Sequence, residues 1–165
     1  MGKNERSKVE MTDDEIAAFI ASSRTATMAT IGSTGLPHLV AMWYGVIDGD
    51  IWFETKAKAQ KVVNLKRNDA LSVLIEDGLT YNALRGVALE GRGEIIDDPD
   101  KLWTLGVDIW ERYTGPYTEE MKPFVETMLH KRVCVRLHVE RIRSWDHNKL
   151  GMAPMDVGGT TAPVT

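Results

Sequence analysis

The chain has few of the features that define several large classes of protein. It contains one cysteine in 165 residues, so no disulfide can form within the chain, and this favours a reducing compartment such as the cytoplasm. No apolar run approaches the length that crosses a bilayer, so we expect no association with a membrane. The net charge is −4, which gives no overall attraction to nucleic acid, and we expect none as a partner.

The histidines lack the paired spacing of metal ligands, so no metal site is predicted. Cys134 lies in an alternating apolar run, which indicates a packed thiol rather than a nucleophile. The length suits a single domain, which we place at residues 12–150. We expect residues 1–11 to be a disordered lead and residues 151–165 to be a flexible tail, because both are rich in polar or turn-forming residues.

Short alternating and β-branched segments recur along the chain and predict a mainly β domain. The strands are predicted at residues 24–31, 38–47, 51–55, 70–76, 82–96 and 133–145. Helices are predicted at 12–22, at the end of the stretch 53–67, at 97–110 and at 118–130. The early strands are too close together for parallel crossovers, so they pair in antiparallel fashion. The pattern therefore predicts a small antiparallel β-barrel with flanking helices.

The stretch 53–67 carries the clearest functional signal in the sequence. It is predicted to be a strand end, a short loop and a helix whose opening carries Lys56, Lys58 and Lys61. Cations at the N-terminus of a helix cost about 0.3–1 kcal/mol each when no anion is bound, because the free N–H groups there carry partial positive charge. The lysines therefore predict a bound phosphate or string of carboxylates. The alternative is that all three point into water.

Several motifs around this stretch resemble the pyridoxamine 5′-phosphate oxidase-like superfamily. They are GLP at 35–37, FET at 53–55, Lys61, Asn64 with Leu65, RND at 67–69 and ALEG at 88–91. The resemblance covers roughly residues 25–96. It implies a split antiparallel β-barrel that forms a homodimer and binds a flavin-type cofactor at the subunit interface.

The same resemblance shows where this chain departs from the oxidases. Those enzymes hold the phosphate of flavin mononucleotide (FMN) with basic residues where this chain has Leu39 and Tyr44. They add a Ser–Arg–Lys cluster where this chain has Ala59, Gln60 and Lys61. A lone phosphate would be poorly neutralised here, because the bidentate arginines are missing.

Two lysines slightly upstream, Lys56 and Lys58, suit a longer anion. This pattern resembles the actinobacterial branch that binds the deazaflavin coenzyme F420, whose tail carries a phosphodiester and a chain of glutamates. The resemblance implies an F420H2-dependent reductase that transfers a hydride to an unsaturated or quinone-like small molecule. An FMN-binding oxidoreductase and a non-catalytic carrier or sensor of F420 or flavin remain as alternatives.

The resemblance also implies which residues meet the cofactor, whose ring is expected along the second and third strands. The expected cofactor-binding residues are, in chain order, Met42, Trp43, Phe53, Glu54, Thr55, Lys56, Ala57, Lys58, Lys61 and Asn64. We expect the first three to contact the ring and the next four to line the loop beside it. The last three are expected to bind phosphate or carboxylate groups. No catalytic acid or base is recognisable.

Overall fold

The computed structural model describes residues 5–158. The helices and strands in that range are α1 Asp13–Ser22, β1 Ala26–Ile31, β2 Pro37–Met42, β3 Gly45–Ile47, β4 Asp50–Lys56, α2 Gln60–Arg67, β5 Ala70–Asp77, β6 Arg85–Ile96, α3 Pro99–Tyr113, α4 Lys122–Leu129 and β7 Arg132–Asp146. Single turns of 3-10 helix lie at Glu5–Lys8, Tyr81–Ala83, Glu119–Met121 and His147–Leu150. None of the described helices is both long enough and apolar enough to cross a bilayer.

The strands of this region form one curled sheet of seven strands in the order β2-β1-β5-β6-β7-β4-β3. Every neighbouring pair is antiparallel. The two edge strands, β2 and β3, are joined through Trp43 and Tyr44, which brings the edges of the sheet round toward one another. The predicted mainly β split barrel with flanking helices is confirmed.

The inward-facing side chains of the sheet form the main core. Burial alternates along β1, where Ala26, Met28 and Thr30 are buried, as expected for an antiparallel strand with one face on the core. Phe19 of α1 packs against the same core. A capping box begins this helix: the Thr12 and Glu15 side chains each accept a hydrogen bond from the other's backbone N–H.

A second apolar cluster lies on the outer face of β4 and β7, beneath α3. It contains Trp52, Ile96, Leu105, Ile109 and Cys134. Burial raises the pKa of the Cys134 thiol to about 11, so the thiol stays protonated and packed at neutral pH, as the sequence predicts. This cluster fixes α3 and α4 against the sheet.

The predicted second strand, residues 38–47, is wrong as a single element because the chain turns a corner at Tyr44. The Tyr44 hydroxyl donates to the carbonyl of Ile20 at 2.6 Å. The Tyr44 backbone N–H donates to the Tyr113 hydroxyl at 3.0 Å, and that hydroxyl donates to the Tyr44 carbonyl at 3.2 Å. These tertiary bonds occupy the backbone groups that a continuous ladder would use, so β2 and β3 separate here.

The two chain ends are described only in part. Residues 1–4 of the predicted disordered lead and residues 159–165 of the predicted flexible tail lie outside the described range. Residues 9–11 lie beside the end of β7, where the Val9 carbonyl accepts from the Asp146 N–H at 2.7 Å. The Met11 N–H donates to the Ser144 hydroxyl at 3.0 Å. Residues 151–158 have no regular secondary structure.

Candidate functional site

The three lysines of the stretch 53–67 do not share a helix opening, and this part of the sequence-based prediction is wrong. Lys56 is the last residue of β4, and Lys58 lies in the following turn. Because α2 begins at Gln60, only Lys61 lies in its first turn. That turn contains no acidic residue, and Ala59 at the N-cap offers no side-chain hydrogen bond.

A cavity of about 640 Å³ lies beside the end of β4, and we term it the basic pocket. It is lined by Lys56, Ala57, Lys58, Asp97, Lys131, Arg132 and Val133. Four of these side chains are cationic and one is a carboxylate. A concave surface with excess charge of one sign raises the local concentration of counter-ions, so this pocket favours an anionic ligand.

Pairing of β4 with β7 explains how distant cations meet in the basic pocket. Lys56 lies opposite Arg132 in the ladder, and the Ala57 N–H donates to the Lys131 carbonyl at 3.0 Å. The Lys56 ammonium donates to the carbonyl of His130 at 2.7 Å, which fixes its position although the two residues are 74 apart in sequence. Sequence reasoning missed Lys131 and Arg132; their only signal was a basic pair immediately before the last strand.

A mostly buried ion pair adjoins this pocket through Arg132, which is one of its lining residues. The Arg132 guanidinium lies 2.6 Å from the Glu54 carboxylate, and their side chains are 27% and 11% exposed. Burial raises the pKa of Glu54, while the charges of Arg132, Lys56 and Lys61 act in the opposite direction. Arg132 is therefore largely neutralised by Glu54, and the lysines carry the pocket's excess charge.

Lys61 is not one of the residues that line the basic pocket. Its ammonium donates to the Thr55 hydroxyl at 3.2 Å, and Thr55 is buried. Burial lowers the pKa of Lys61, and repulsion from Arg132 lowers it further, while Glu54 raises it. Lys61 thus adds positive potential close to the pair of Glu54 and Arg132 without lining the cavity itself.

Two of the expected cofactor-binding residues lie in the interior. Phe53 has 0% exposure and packs within the main core, so its ring offers no surface to a ligand on this chain. Asn64 is equally buried and ties α2 to β1: its amide donates to the Thr30 hydroxyl at 3.0 Å and accepts from Gln60 at 2.8 Å. Its hydrogen-bonding groups are thus used within the fold.

Met42 and Trp43 lie at the corner between β2 and β3. Met42 is half-buried against the main core, whereas Trp43 is 55% exposed. The Trp43 ring stacks on that of Tyr113, with 4.4 Å between centroids and 5° between planes. Of the expected cofactor-binding residues, Glu54 to Lys58 and Lys61 therefore lie close together. Trp43 forms a separate, exposed aromatic surface at the corner.

Within residues 5–158, no three His, Cys, Asp or Glu side chains are grouped closely enough to hold a metal ion. The fold and the basic pocket define the class: a split β-barrel protein with a positively charged cleft beside the end of β4. The chain belongs to the pyridoxamine 5′-phosphate oxidase family, whose family model matches residues 12–146. The resemblance seen in the sequence is therefore confirmed.

Solved structures extend this relationship. A conserved hypothetical protein from Mycobacterium tuberculosis is 59% identical, with a TM-score of 0.93 over 95% of this chain and 98% of that one. An F420 reductase is 24% identical, with a TM-score of 0.61 over 76% of this chain and 94% of that one. A heme storage protein from Vibrio cholerae is 16% identical, with a TM-score of 0.64 over 81% of this chain and 94% of that one. The last two likenesses show the fold alone. No curated protein matches this chain.

Proposed function

We propose that this chain is a cytoplasmic, homodimeric F420H2-dependent reductase that acts on an unsaturated or quinone-like small molecule. The observation that carries the proposal is the basic pocket. Lys56, Lys58 and Lys131 line it, and Asp97 is the carboxylate that opposes them. A ligand tail with a phosphodiester and several carboxylates would neutralise this charge.

The donor set in the pocket suits a polyanion better than a single phosphate. Arg132 could grip a phosphate with two parallel hydrogen bonds, but its guanidinium is already paired with Glu54. The lysines are compact charges on flexible stems, and each can pair with a different acidic group along a chain. Lys56 is held by its bond to the His130 carbonyl, so at least one of these charges is fixed before a ligand arrives.

Within this proposal, the bound reduced deazaflavin would supply the hydride, and the protein would bind and orient it. The lysines of the basic pocket would hold the acidic tail. Trp43, supported from behind by Tyr113, would offer a flat apolar surface to the ring or to a planar substrate. We assign no side chain as proton donor.

The comparisons support this proposal at the level of the family. Membership of the pyridoxamine 5′-phosphate oxidase family makes a flavin-type cofactor the natural ligand. An F420 reductase has the same fold, and the mycobacterial relative fits the actinobacterial branch. FMN is the alternative cofactor, and a carrier or sensor without turnover is the alternative role.

Fluorescence titration of the purified protein with F420 and with FMN, at low and high salt, tests the proposal directly. We expect tighter binding of F420 and a loss of affinity at high salt, because the contacts are ionic. Tighter binding of FMN would establish the alternative cofactor. Binding of F420 without reduction of any quinone or enone would establish the carrier or sensor. Binding of neither would refute a cofactor role.

Variants of the lysines in the basic pocket test where the acidic tail of F420 binds. Lys56→Ala, Lys58→Ala and Lys131→Ala should each weaken F420 binding by about fivefold, the value of one partly exposed ion pair. Lys66→Ala is the matched control, because Lys66 is exposed in the last turn of α2, away from the pocket. Equal affinities for all four variants would place the acidic tail elsewhere.

A further inference from the structure

A second cavity lies at the other end of the pairing between β4 and β7, and we term it the turn pocket. It has a volume of about 260 Å³, and its polar lining consists of Asp48, Asp50, Trp52, Lys101, Thr104 and Arg136. It shares no lining residue with the basic pocket. Trp52 precedes Lys56 by four residues on β4, so the two cavities lie about 13 Å apart along the strand.

Three of the polar side chains in the turn pocket already have partners. The Arg136 guanidinium donates twice to the Asp50 carboxylate, at 2.5 and 2.9 Å, and it lies 5.5 Å from the centroid of the Trp52 ring. The Thr104 hydroxyl donates to the Asp100 carbonyl at 3.0 Å. Arg136 and Asp50 therefore neutralise one another and form a fixed wall, and none of the three is free to bind a ligand's charge.

The other three polar groups of the turn pocket have no partner in the part of the chain that the structure describes. Trp52 is 7% exposed, and its Nε1–H is shielded from solvent and donates to no acceptor within residues 5–158. Over the same range, neither Asp48 nor Lys101 forms a side-chain hydrogen bond or an ion pair. Both line this one cavity, yet their charges lie more than 4.0 Å apart. The pocket thus holds one free cation, one free anion and one buried donor.

These unpartnered groups define the chemistry of a ligand. A buried donor without an acceptor keeps its full desolvation penalty, and an acceptor that reaches the Trp52 N–H from the cavity removes it. Lys101 favours the same acceptor to be an anion, whereas Asp48 favours a cation beside it. A ligand of a single charge would match only one of these two side chains. Sites for drug-sized ligands span about 300–1,000 Å³, so this smaller cavity suits a small molecule.

We propose that the turn pocket binds a small zwitterion with one carboxylate and one ammonium group, the chemistry of a free amino acid. The ligand's carboxylate pairs with Lys101 and accepts from the Trp52 indole N–H, and its ammonium group pairs with Asp48. The pair of Arg136 and Asp50 stays intact beside it. The proposal does not rest on the F420 proposal, because the two cavities have no lining residue in common.

Nitrogen-15 NMR of the full chain tests this directly, because each of the five tryptophans gives its own indole N–H signal. The Trp52 signal is the one that Trp52→Phe removes. The standard L-amino acids are added singly at about 10 mM, above the millimolar Kd of a weak site. We expect at least one of them to shift the Trp52 signal in a saturable way, whereas butyrate and n-butylamine should bind at least about fivefold more weakly, since each lacks one ionic partner. No shift with any amino acid would overturn the proposal, and equal binding of either single-charge compound would overturn the zwitterionic ligand.

Charge variants then locate the ligand. Asp48→Asn and Lys101→Met should each weaken binding of that amino acid by about fivefold, the value of one partly exposed ion pair. Asp48 has a left-handed φ of 53°, which asparagine also tolerates, so this substitution preserves the turn. Asp100→Asn and Lys122→Met are the matched controls, because both residues are exposed on α3 and α4 and neither lines the pocket. The dispersion of the amide signals shows that each variant is folded. Wild-type affinity in both pocket variants, or equal weakening in the controls, would overturn this site.

Discussion

Removal of the Arg132 guanidinium should destabilise the fold through Glu54. The two groups lie 2.6 Å apart, and the Glu54 side chain retains only 11% exposure. Arg132→Ala would leave this carboxylate mostly desolvated without its closest partner. The loss should therefore exceed what an exposed ion pair contributes.

The expected loss of stability follows from how deeply the two side chains are buried. Breaking a fully buried ion pair costs about 3–5 kcal/mol, because one charge remains uncompensated. Arg132 is 27% exposed, and Lys56 and Lys61 also favour the charged form of Glu54. We therefore expect about 2 kcal/mol, the value of a charged hydrogen bond. For a chain of this size that corresponds to a fall in Tm of about 4–8 °C.

The loss should depend on pH in a defined direction. Burial raises the pKa of Glu54 in the folded protein even with Arg132 present, and removal of Arg132 should raise it further. A carboxyl group with a raised pKa binds its proton more tightly when folded. Its contribution to stability is complete below the unfolded pKa and is lost as pH rises through the folded pKa. Arg132→Ala should therefore lower the free energy of unfolding less at about pH 5 than at about pH 7.

Thermal unfolding followed by circular dichroism at both pH values checks this reasoning. The comparison requires wild type, Arg132→Ala, Glu54→Gln and the double variant. Glu54→Gln removes the charge, so the double variant should regain most of the lost stability and show a weaker pH dependence. A double variant as unstable as Arg132→Ala at both pH values would refute the role assigned to the Glu54 charge.

Three further predictions concern the pocket and the corner of the barrel. Lys131 has a left-handed φ of 58°, so Lys131→Gly should change the free energy of unfolding by less than about 1 kcal/mol while weakening F420 binding in a titration. A large loss of stability would contradict this. Gly45→Ala would place a Cβ 2.6 Å from the Asp108 carboxylate, so urea unfolding should show a cost of about 1–3 kcal/mol, and unchanged stability would argue against this close contact. Tyr113→Phe removes both hydroxyl bonds to the Tyr44 backbone, and the same assay should show a loss of about 1–3 kcal/mol; wild-type stability would mean that these bonds do not hold the corner.

Local physical chemistry made much of the fold predictable. The capping box at Thr12 and Glu15 depends on residues three apart, so it could be identified directly. Asp98 similarly caps α3, because its side chain accepts hydrogen bonds from the backbone N–H groups of Asp100 and Lys101. This cap marks where the helix begins. A glycine within a strand is typical of a bulge, and the register of β6 and β7 shifts between Glu90 and Gly91.

The corner at Tyr44 could not be predicted, because its partners come from distant segments. Its hydroxyl bonds to Ile20 of α1, its backbone bonds to Tyr113 of α3, and the Arg112 guanidinium lies 4.5 Å from its ring centroid. The local sequence favours a continued strand through 38–47, and these long-range contacts override that preference.

The candidate site, like the fold, could be predicted from the sequence only in part. The sequence by itself determined that Lys56 and Lys58 form a local excess of positive charge in an acidic chain, since charge and spacing are properties of neighbours. Only the tertiary structure decided that Lys131 and Arg132 join them, that Arg132 is balanced by Glu54, and that Asn64 is buried. The physical reason is the ladder between β4 and β7, which places Lys56 opposite Arg132 through backbone hydrogen bonds that no local pattern encodes.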